Sequence, residues 1–230
     1  MIFEDVVYVL LSLICMYIIG SIPTAYLLGR ASKGIDIRYL GSRNVGASNI
    51  GHVIGKSYGL SVGIFDCLIK GTLPIVILRN INVDDLIILS AALLLIVGHN
   101  WSPFVGFKGG RGVAIAIGII IGMSMWVEMF ILVAGPGLLG RFIVYKDSGL
   151  WTLVSMILLV CLTVVLGREF HIILLAIGTL LLLLSKRLIA NGEPISKSVS
   201  IWQIFVCRLV LDRDIPSRVE WITRQQRASL

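Results

Sequence analysis

The sequence predicts an all-α integral membrane protein of about seven transmembrane helices, with the N-terminus outside and the C-terminus cytoplasmic. Three observations lead there. First, 57% of its 230 residues are hydrophobic and only 14% are charged. The mean hydropathy is +0.95, more apolar surface than a soluble domain of this size can bury. Second, the apolar residues fall in runs at about 6–28, 57–78, 86–104, 113–127, 129–145, 150–166 and 170–185. Third, Lys and Arg are segregated. With seven spans, one face carries 17 Lys and Arg against 6 Asp and Glu. The other carries two basic residues (Arg79, Arg168) and six acidic ones (Glu4, Asp5, Asp84, Asp85, Glu128, Glu169). Basic residues are retained on the cytoplasmic side, so the net charge of +7 is a topology signal rather than a mark of nucleic-acid binding.

The first run lacks a basic leader and passes into Ser21-Ile22-Pro23-Thr24 without a clear cleavage site, so it reads as a span and not as a signal peptide. The loop that follows contains Gly41-Ser-Arg-Asn-Val-Gly-Ala-Ser-Asn49. Its short polar side chains, its glycines and two arginines, Arg38 and Arg43, suit a turn-rich site for phosphate or carboxylate. A plain solvated loop is the alternative. The second run holds Asp66 and Lys70. Four residues apart, they share one helix face and can pair inside the membrane. A structural brace is the first reading and a catalytic role the second.

The third run ends at His99-Asn100. His99 reads as a structural histidine orienting the next loop, with proton transfer as the other reading. That loop, Phe104 to Ala114, is the densest feature of the chain. Gly109, Gly110 and Gly112 let backbone N–H groups converge, Lys108 and Arg111 add positive charge, and a helix starts at about Val113. Together they make an anion site, most naturally for phosphate. The fourth and fifth runs are short and could form one span broken at Gly135-Pro136-Gly137, but the charge distribution favours two. His171 lies at the outer end of the last span, away from these loops. Cys15, Cys67, Cys161 and Cys207 are scattered in apolar surroundings, which implies reduced, buried thiols and no metal. The chain divides into a membrane domain, 1–190, and a tail, 191–230. Within the tail, 199–211 is apolar and too short to span. It is read as an interfacial helix with Ser200, Gln203 and Cys207 on one face, or as a helix packed on the bundle.

Three segments together resemble the bacterial acyl-phosphate:glycerol-3-phosphate acyltransferases, the PlsY-type family. They are Gly20-Ser-Ile-Pro-Thr-Ala-Tyr-Leu-Leu-Gly-Arg30, continuing through Asp36-Ile-Arg38 and Gly41–Asn49; Asp66-Cys-Leu-Ile-Lys-Gly71 with Pro74; and Gly98-His-Asn-Trp-Ser-Pro-Phe through Gly112-Val-Ala114. The resemblance implies transfer of an acyl group from acyl phosphate to glycerol 3-phosphate, forming lysophosphatidic acid for phospholipid synthesis. It implies a bacterial cytoplasmic membrane, an active site on its cytoplasmic face, no cofactor, and an upstream enzyme that produces acyl phosphate.

The residues expected to carry the chemistry are Ser42 and Arg111. Arg38, Asn44, Gly46, Asn49, His52, Lys108, Gly109, Gly110 and Gly112 are expected to bind substrate. Asp66, Lys70, His99, Arg187 and Glu193 are expected to support them. The chain departs from the family pattern at three places. Arg111 replaces the lysine of a Gly-Gly-Lys-Gly run, and His52 stands where an arginine is expected. Leu181 and Leu184 occupy positions of a histidine and an asparagine. A weak or inactive paralogue that binds acyl phosphate or lipid is therefore an alternative, as is a small anion transporter. No internal repeat supports the transporter.

Overall fold

The computed structural model describes residues 2–191 and 199–223, and the regular elements among them are all helical. Helix α1 runs Ile2–Ser21. The first expected span does not continue straight to residue 28. Pro23 has no N–H to extend a helix, and the chain bends by 41° into α2, Thr24–Lys33. A short helix α3, Ala47–Val53, then precedes α4, Lys56–Asn80. The middle of α4, Phe65–Thr72, is wound as a π segment that contains Asp66 and Lys70. Helix α5, Asp85–Asn100, is capped by the Asp84 carboxylate, which accepts from Leu86 N at 2.9 Å.

The glycine-rich loop leads to α6, Val113–Gly122. Then come α7, Trp126–Val144, α8, Ser148–Val165, and α9, Phe170–Ile189. Two tail helices follow, α10 (Ile201–Leu211) and α11 (Arg218–Thr223).

Helices α4, α7, α8 and α9, and α5 with the turn that carries it to Val105, are long and apolar enough to cross a membrane. The bent pair α1–α2 makes a sixth candidate. Helix α6 has ten residues, about 15 Å of rise, roughly half the hydrocarbon thickness. Each of the seven apolar runs is thus helical, but the fourth is too short to span unaided. The break between α6 and α7 falls at 123–125, where Ser124 takes a φ of 57°. It does not fall at Gly135-Pro136-Gly137. There the chain stays helical in a π segment, Val133–Val144, which takes in Pro136 because wide turns tolerate a missing N–H.

Two close helix crossings organise the bundle. Helices α1 and α5 touch backbone to backbone at Gly20 and Gly98, where a Cβ on Gly98 would lie 2.9 Å from Ser21 N. Helices α4 and α6 do the same at Gly71 and Gly118. Small residues are what permit such approaches in apolar surroundings. Thr72 Oγ1 reinforces the second crossing by donating to Gly118 O at 3.0 Å. Ile75, Leu95, Ile96, Ile115 and Ile119 fill the space between. A second cluster of Ala25, Ile37, Val45, Ile50 and Val62 lies under the first polar loop.

At one end of the bundle Arg168 pairs with the fully buried Glu128 at 2.6 Å. Arg79 donates there to Gly122 O and Ser124 Oγ. The two polar loops gather at the other end. Helix α10 lies beside α8 and α9. It buries Ile204 and Cys207 while Ile201 and Trp202 stay exposed. Cys207 therefore sits on the buried side of α10 and not in a polar stripe with Gln203, which is exposed.

Candidate active site

The first polar loop is held by its own residues. Asp36 caps the turn Ile37–Tyr39 by accepting from Arg38 N. Its carboxylate also receives Arg38 Nε and Nη2, at 3.0 and 2.7 Å, and Arg30 Nη2 at 3.0 Å. The Arg38 side-chain bonds hold the Asp36 carboxyl well below its ordinary range, at about 2. The Arg38 guanidinium lies 4.9 Å above the Tyr26 ring, so Arg38 is engaged within the loop.

Asn49 is likewise an internal tie. It is 3% exposed, and its Nδ2 donates to Leu40 O and Asn44 O at 3.0 Å and Ile37 O at 3.3 Å. Its Oδ1 accepts from Ser42 N at 2.9 Å. Ser42 Oγ accepts from Asn44 N at 3.4 Å. Arg43 adopts a φ of 60°, a conformation unfavourable for an arginine. Buried in this loop, Arg43 Nε and Asn44 Oδ1 have no hydrogen-bond partner. Buried polar atoms are costly when unpaired, which makes both candidates for ligand contact.

The glycine-rich loop rests on a buried polar network. Lys70 Nζ donates to Ile22 O at 2.7 Å and pairs with Asp66 Oδ1 at 3.0 Å. Thr24 Oγ1 donates to the same oxygen at 2.8 Å. The Lys70 side chain is 1% exposed and that of Asp66 2%. Lys70 Nζ also lies 3.3 Å from His99 Nδ1. Gly110 N donates to His99 O at 2.9 Å, and a Cβ on Gly110 would overlap the His99 ring. The network thus joins the α1–α2 bend, α4 and α5 to the floor of the loop. Gly112, at φ 77°, caps α6 without a side-chain bond, which leaves the helix N-terminus available to an anion.

The two loops meet. A Cβ on Gly46 would lie 4.0 Å from Gly110 Cα. Beside this contact a recess of about 490 Å³ is lined by Arg43, Lys108 and Lys186, with Phe107, Ile189, Ala190 and Asn191. Lys186 is 1% exposed. Its Nζ reaches Phe107 O at 3.5 Å and stands 5.5 Å from the Trp101 ring centroid. Asn191 Nδ2 donates to Gly109 O at 2.7 Å. Three cations face one recess and no acidic side chain is among its described lining residues, an arrangement suited to phosphate.

Of the residues singled out in the sequence, Lys108, Gly46 and the glycines converge here. Arg111 is near but engaged: Nε pairs with Asp212 at 2.8 Å, and Nη1 donates to Lys186 O at 3.0 Å. Arg187 faces the tail, donating to Leu209 O and Gly149 O, both at 2.9 Å. His52 is exposed on α3. Glu193 lies outside the described residues. Lys186 and Asn191 were not singled out in the sequence. Their only mark is position, at and just past the end of a span, where basic residues are ordinary. Leu181 is 57% exposed, and neither it nor Leu184 lines the recess.

Comparison with known proteins identifies the family. The family model described as glycerol-3-phosphate acyltransferase matches residues 10–192. A glycerol-3-phosphate acyltransferase 5 of Dehalococcoides mccartyi is 35% identical over 214 residues, 90% of each chain. A glycerol-3-phosphate acyltransferase 2 of Moorella thermoacetica is 50% identical over 115 residues, 50% of this chain and 58% of that one. The crystal structure of PlsY, an integral membrane glycerol 3-phosphate acyltransferase, in its glycerol 3-phosphate form superposes with a TM-score of 0.71. The identity there is 29%, covering 78% of this chain and 88% of that chain. With residues 10–192, four-fifths of its length, matched by the family model, this chain belongs to the glycerol-3-phosphate acyltransferase family.

Proposed function

We infer that this multi-pass membrane protein acylates glycerol 3-phosphate to lysophosphatidic acid, with acyl phosphate as donor. The observation that carries the reading is the cationic recess where the two glycine-bearing loops meet. Both substrates present phosphate, and the recess offers Arg43, Lys108 and Lys186 beside the N-terminus of α6. Acyl phosphate is an activated mixed anhydride, so the protein's contribution is placement and charge stabilisation.

In the proposed step the 1-hydroxyl oxygen of glycerol 3-phosphate attacks the acyl carbonyl carbon. The new ester C–O bond forms as the bond from that carbon to the phosphate oxygen breaks. Inorganic phosphate leaves with the electron pair, and the hydroxyl proton passes to phosphate oxygen. The N–H groups of Gly109, Gly110 and Gly112 and the side chains of Lys108 and Arg111 stabilise the phosphoryl charge. Ser42 and Asn44 orient the acceptor, with Asn191 holding the glycine loop. Arg38, Gly46 and Asn49 shape the first loop around it. Exposed Phe104 and Phe107 give the acyl chain an apolar approach from the bilayer.

The membrane domain, 1–190, carries this chemistry, and the 17-to-2 split of basic residues supports a cytoplasmic site in a bacterial inner membrane. An enzyme that makes acyl phosphate must act upstream. The test is purified protein with radiolabelled glycerol 3-phosphate and either acyl phosphate or acyl-CoA. Labelled lysophosphatidic acid is expected from acyl phosphate alone. Efficient transfer from acyl-CoA with none from acyl phosphate overturns the donor assignment. Binding of acyl phosphate or lipid without turnover identifies the binding-only alternative raised by Leu181 and Leu184.

A further inference from the structure

The family match ends at residue 192, yet the segment beyond it reaches the glycine-rich loop. Asp212 ends α10 in the left-handed conformation, φ 56°, and its carboxylate pairs with Arg111 Nε at 2.8 Å. The two side chains are 23% and 12% exposed, so the pair is largely shielded from water. Arg111 Nη1 is taken by Lys186 O. Among the described residues this leaves Nη2 without a protein partner, so Arg111 keeps donors free for an incoming phosphate while Nε and Nη1 are tied to the protein.

The segment bearing Asp212 is firmly seated. Arg187 donates to Leu209 O at 2.9 Å and Arg208 to Leu188 O at 2.9 Å. Arg208 pairs with Asp214 at 2.6 Å, and Arg213 pairs with Asp147 at the start of α8. Leu211 O packs so closely on Gly149 that a Cβ there would collide with it. These contacts anchor the turn after α10 to the ends of α8 and α9 and leave Asp212 directed at the loop.

We propose that Asp212 is a positioning residue for acyl transfer, and that the segment 199–223 is a strap that fixes Arg111, and with it Gly109–Gly112, for phosphate binding. The proposal rests on the acyltransferase reading above. It also explains why this chain carries arginine where lysine is the family pattern. Only a guanidinium can bond the strap, the Lys186 carbonyl and a phosphate from separate nitrogens held in one plane.

Full-length protein carrying Asp212→Asn, Asp212→Glu, Arg111→Gln, or Arg111→Gln with Asp212→Asn tests this. Two readouts are used: KM and kcat for both substrates, and amide hydrogen exchange at residues 109–112. Asp212→Asn should raise KM for the phosphate substrates about five- to tenfold, less than the roughly ten- to hundredfold of a whole charge-assisted hydrogen bond because the Asn carbonyl still accepts from Arg111, with kcat changed less than about twofold. It should also speed exchange at Gly110. Asp212→Glu should restore most of both. In the Arg111→Gln background Asp212→Asn should add nothing, because its effect runs through Arg111.

Unchanged KM and exchange in Asp212→Asn would overturn the proposal. So would a lowered melting temperature with unchanged KM, or an Asp212→Asn effect of full size in the Arg111→Gln background. Exchange needs no turnover, so a wild-type protein inactive on acyl phosphate would defeat the acyltransferase reading while leaving the strap to be judged by exchange alone.

Discussion

Gly110→Ala is the sharpest test of how the glycine-rich loop is built. A Cβ at this position would lie 2.8 and 2.9 Å from His99 Cδ2 and Cε1 and closer still to Nε2. Ordinary carbon contacts are about 3.5–4.0 Å, so loop and ring must separate by about 0.7 Å or more. The ring is poorly able to retreat. His99 is 8% exposed, and its Nδ1 faces Lys70 Nζ at 3.3 Å. Lys70 is fixed in turn by Asp66 and Ile22 O. The loop therefore moves, and displacement of a reacting group by about 1 Å costs on the order of a hundredfold in rate, about 2.7 kcal/mol of barrier.

Expected is a hundredfold fall in kcat/KM for acyl transfer, with about 1–3 kcal/mol lost in stability from overpacking. Gly135→Ala is the control, since a Cβ there meets nothing within 4 Å; it should leave kinetics unchanged. Removing the ring in Gly110→Ala/His99→Ala should recover at least tenfold of the loss. A folded Gly110→Ala protein with normal turnover would refute the reasoning, as would a ring deletion that rescues nothing.

Four further outcomes are expected. Lys186→Met keeps the buried stem and removes one recess cation, so KM for glycerol 3-phosphate should rise about ten- to hundredfold in steady-state assays. Asp66→Asn leaves Lys70 buried without its counter-ion and should cost about 3–5 kcal/mol, measured as folded yield and melting temperature; Asp66→Asn/Lys70→Met should regain most of it. Asp36, lowered from 3.8 to about 2, contributes on the order of 2 kcal/mol that is complete above its unfolded value. Asp36→Asn should therefore be less stable than wild type at neutral pH, and the gap should close as pH falls from about 4 to 2. A reporter fused after Leu230 should behave as cytoplasmic and one near Asp84 as external; an external C-terminal reporter would refute the orientation.

Much of this architecture was legible in the chain because hydropathy, averaged over a window of about 19 residues, marks the segments that can cross a bilayer, where the backbone must be helical. All seven apolar runs became helices, and the tail helix expected over 199–211 forms at Ile201–Leu211. What averaging missed is local. The bend after Ser21 depends on Pro23, α2 straddles the end of the first apolar run, and α3 is a short helix inside a loop judged by its polarity. Helix α6 stops at Gly122 because Ser124 turns the chain, which hydropathy does not register.

The site was legible in outline for a similar reason. The glycine and basic motifs marked the two loops that meet at the recess, but residue type does not tell whether a side chain faces a ligand or its own backbone. Arg38 and Asn49 look like ligands in the sequence and are engaged within their loop. Lys186 looks like an ordinary end-of-span lysine and lines the recess. Arg111 could not be linked to Asp212 because 101 residues separate them.

The placement of Asp66 and Lys70 has a consequence for how the protein is made. Each would be expensive for a nascent helix to carry into the bilayer, about 2.5–3.5 kcal/mol on insertion scales. They lie four residues apart in one turn of α4 and pair directly, so the neutralising partner travels with the charge. Helix α4 can thus partition laterally out of the insertion machinery before α1, α5 or the loops have found their places. His99 and Ile22, which meet Lys70 in the finished fold, dock onto a pair already formed. The ionic centre beneath the glycine loop thus bears on membrane integration as well as on the support of that loop.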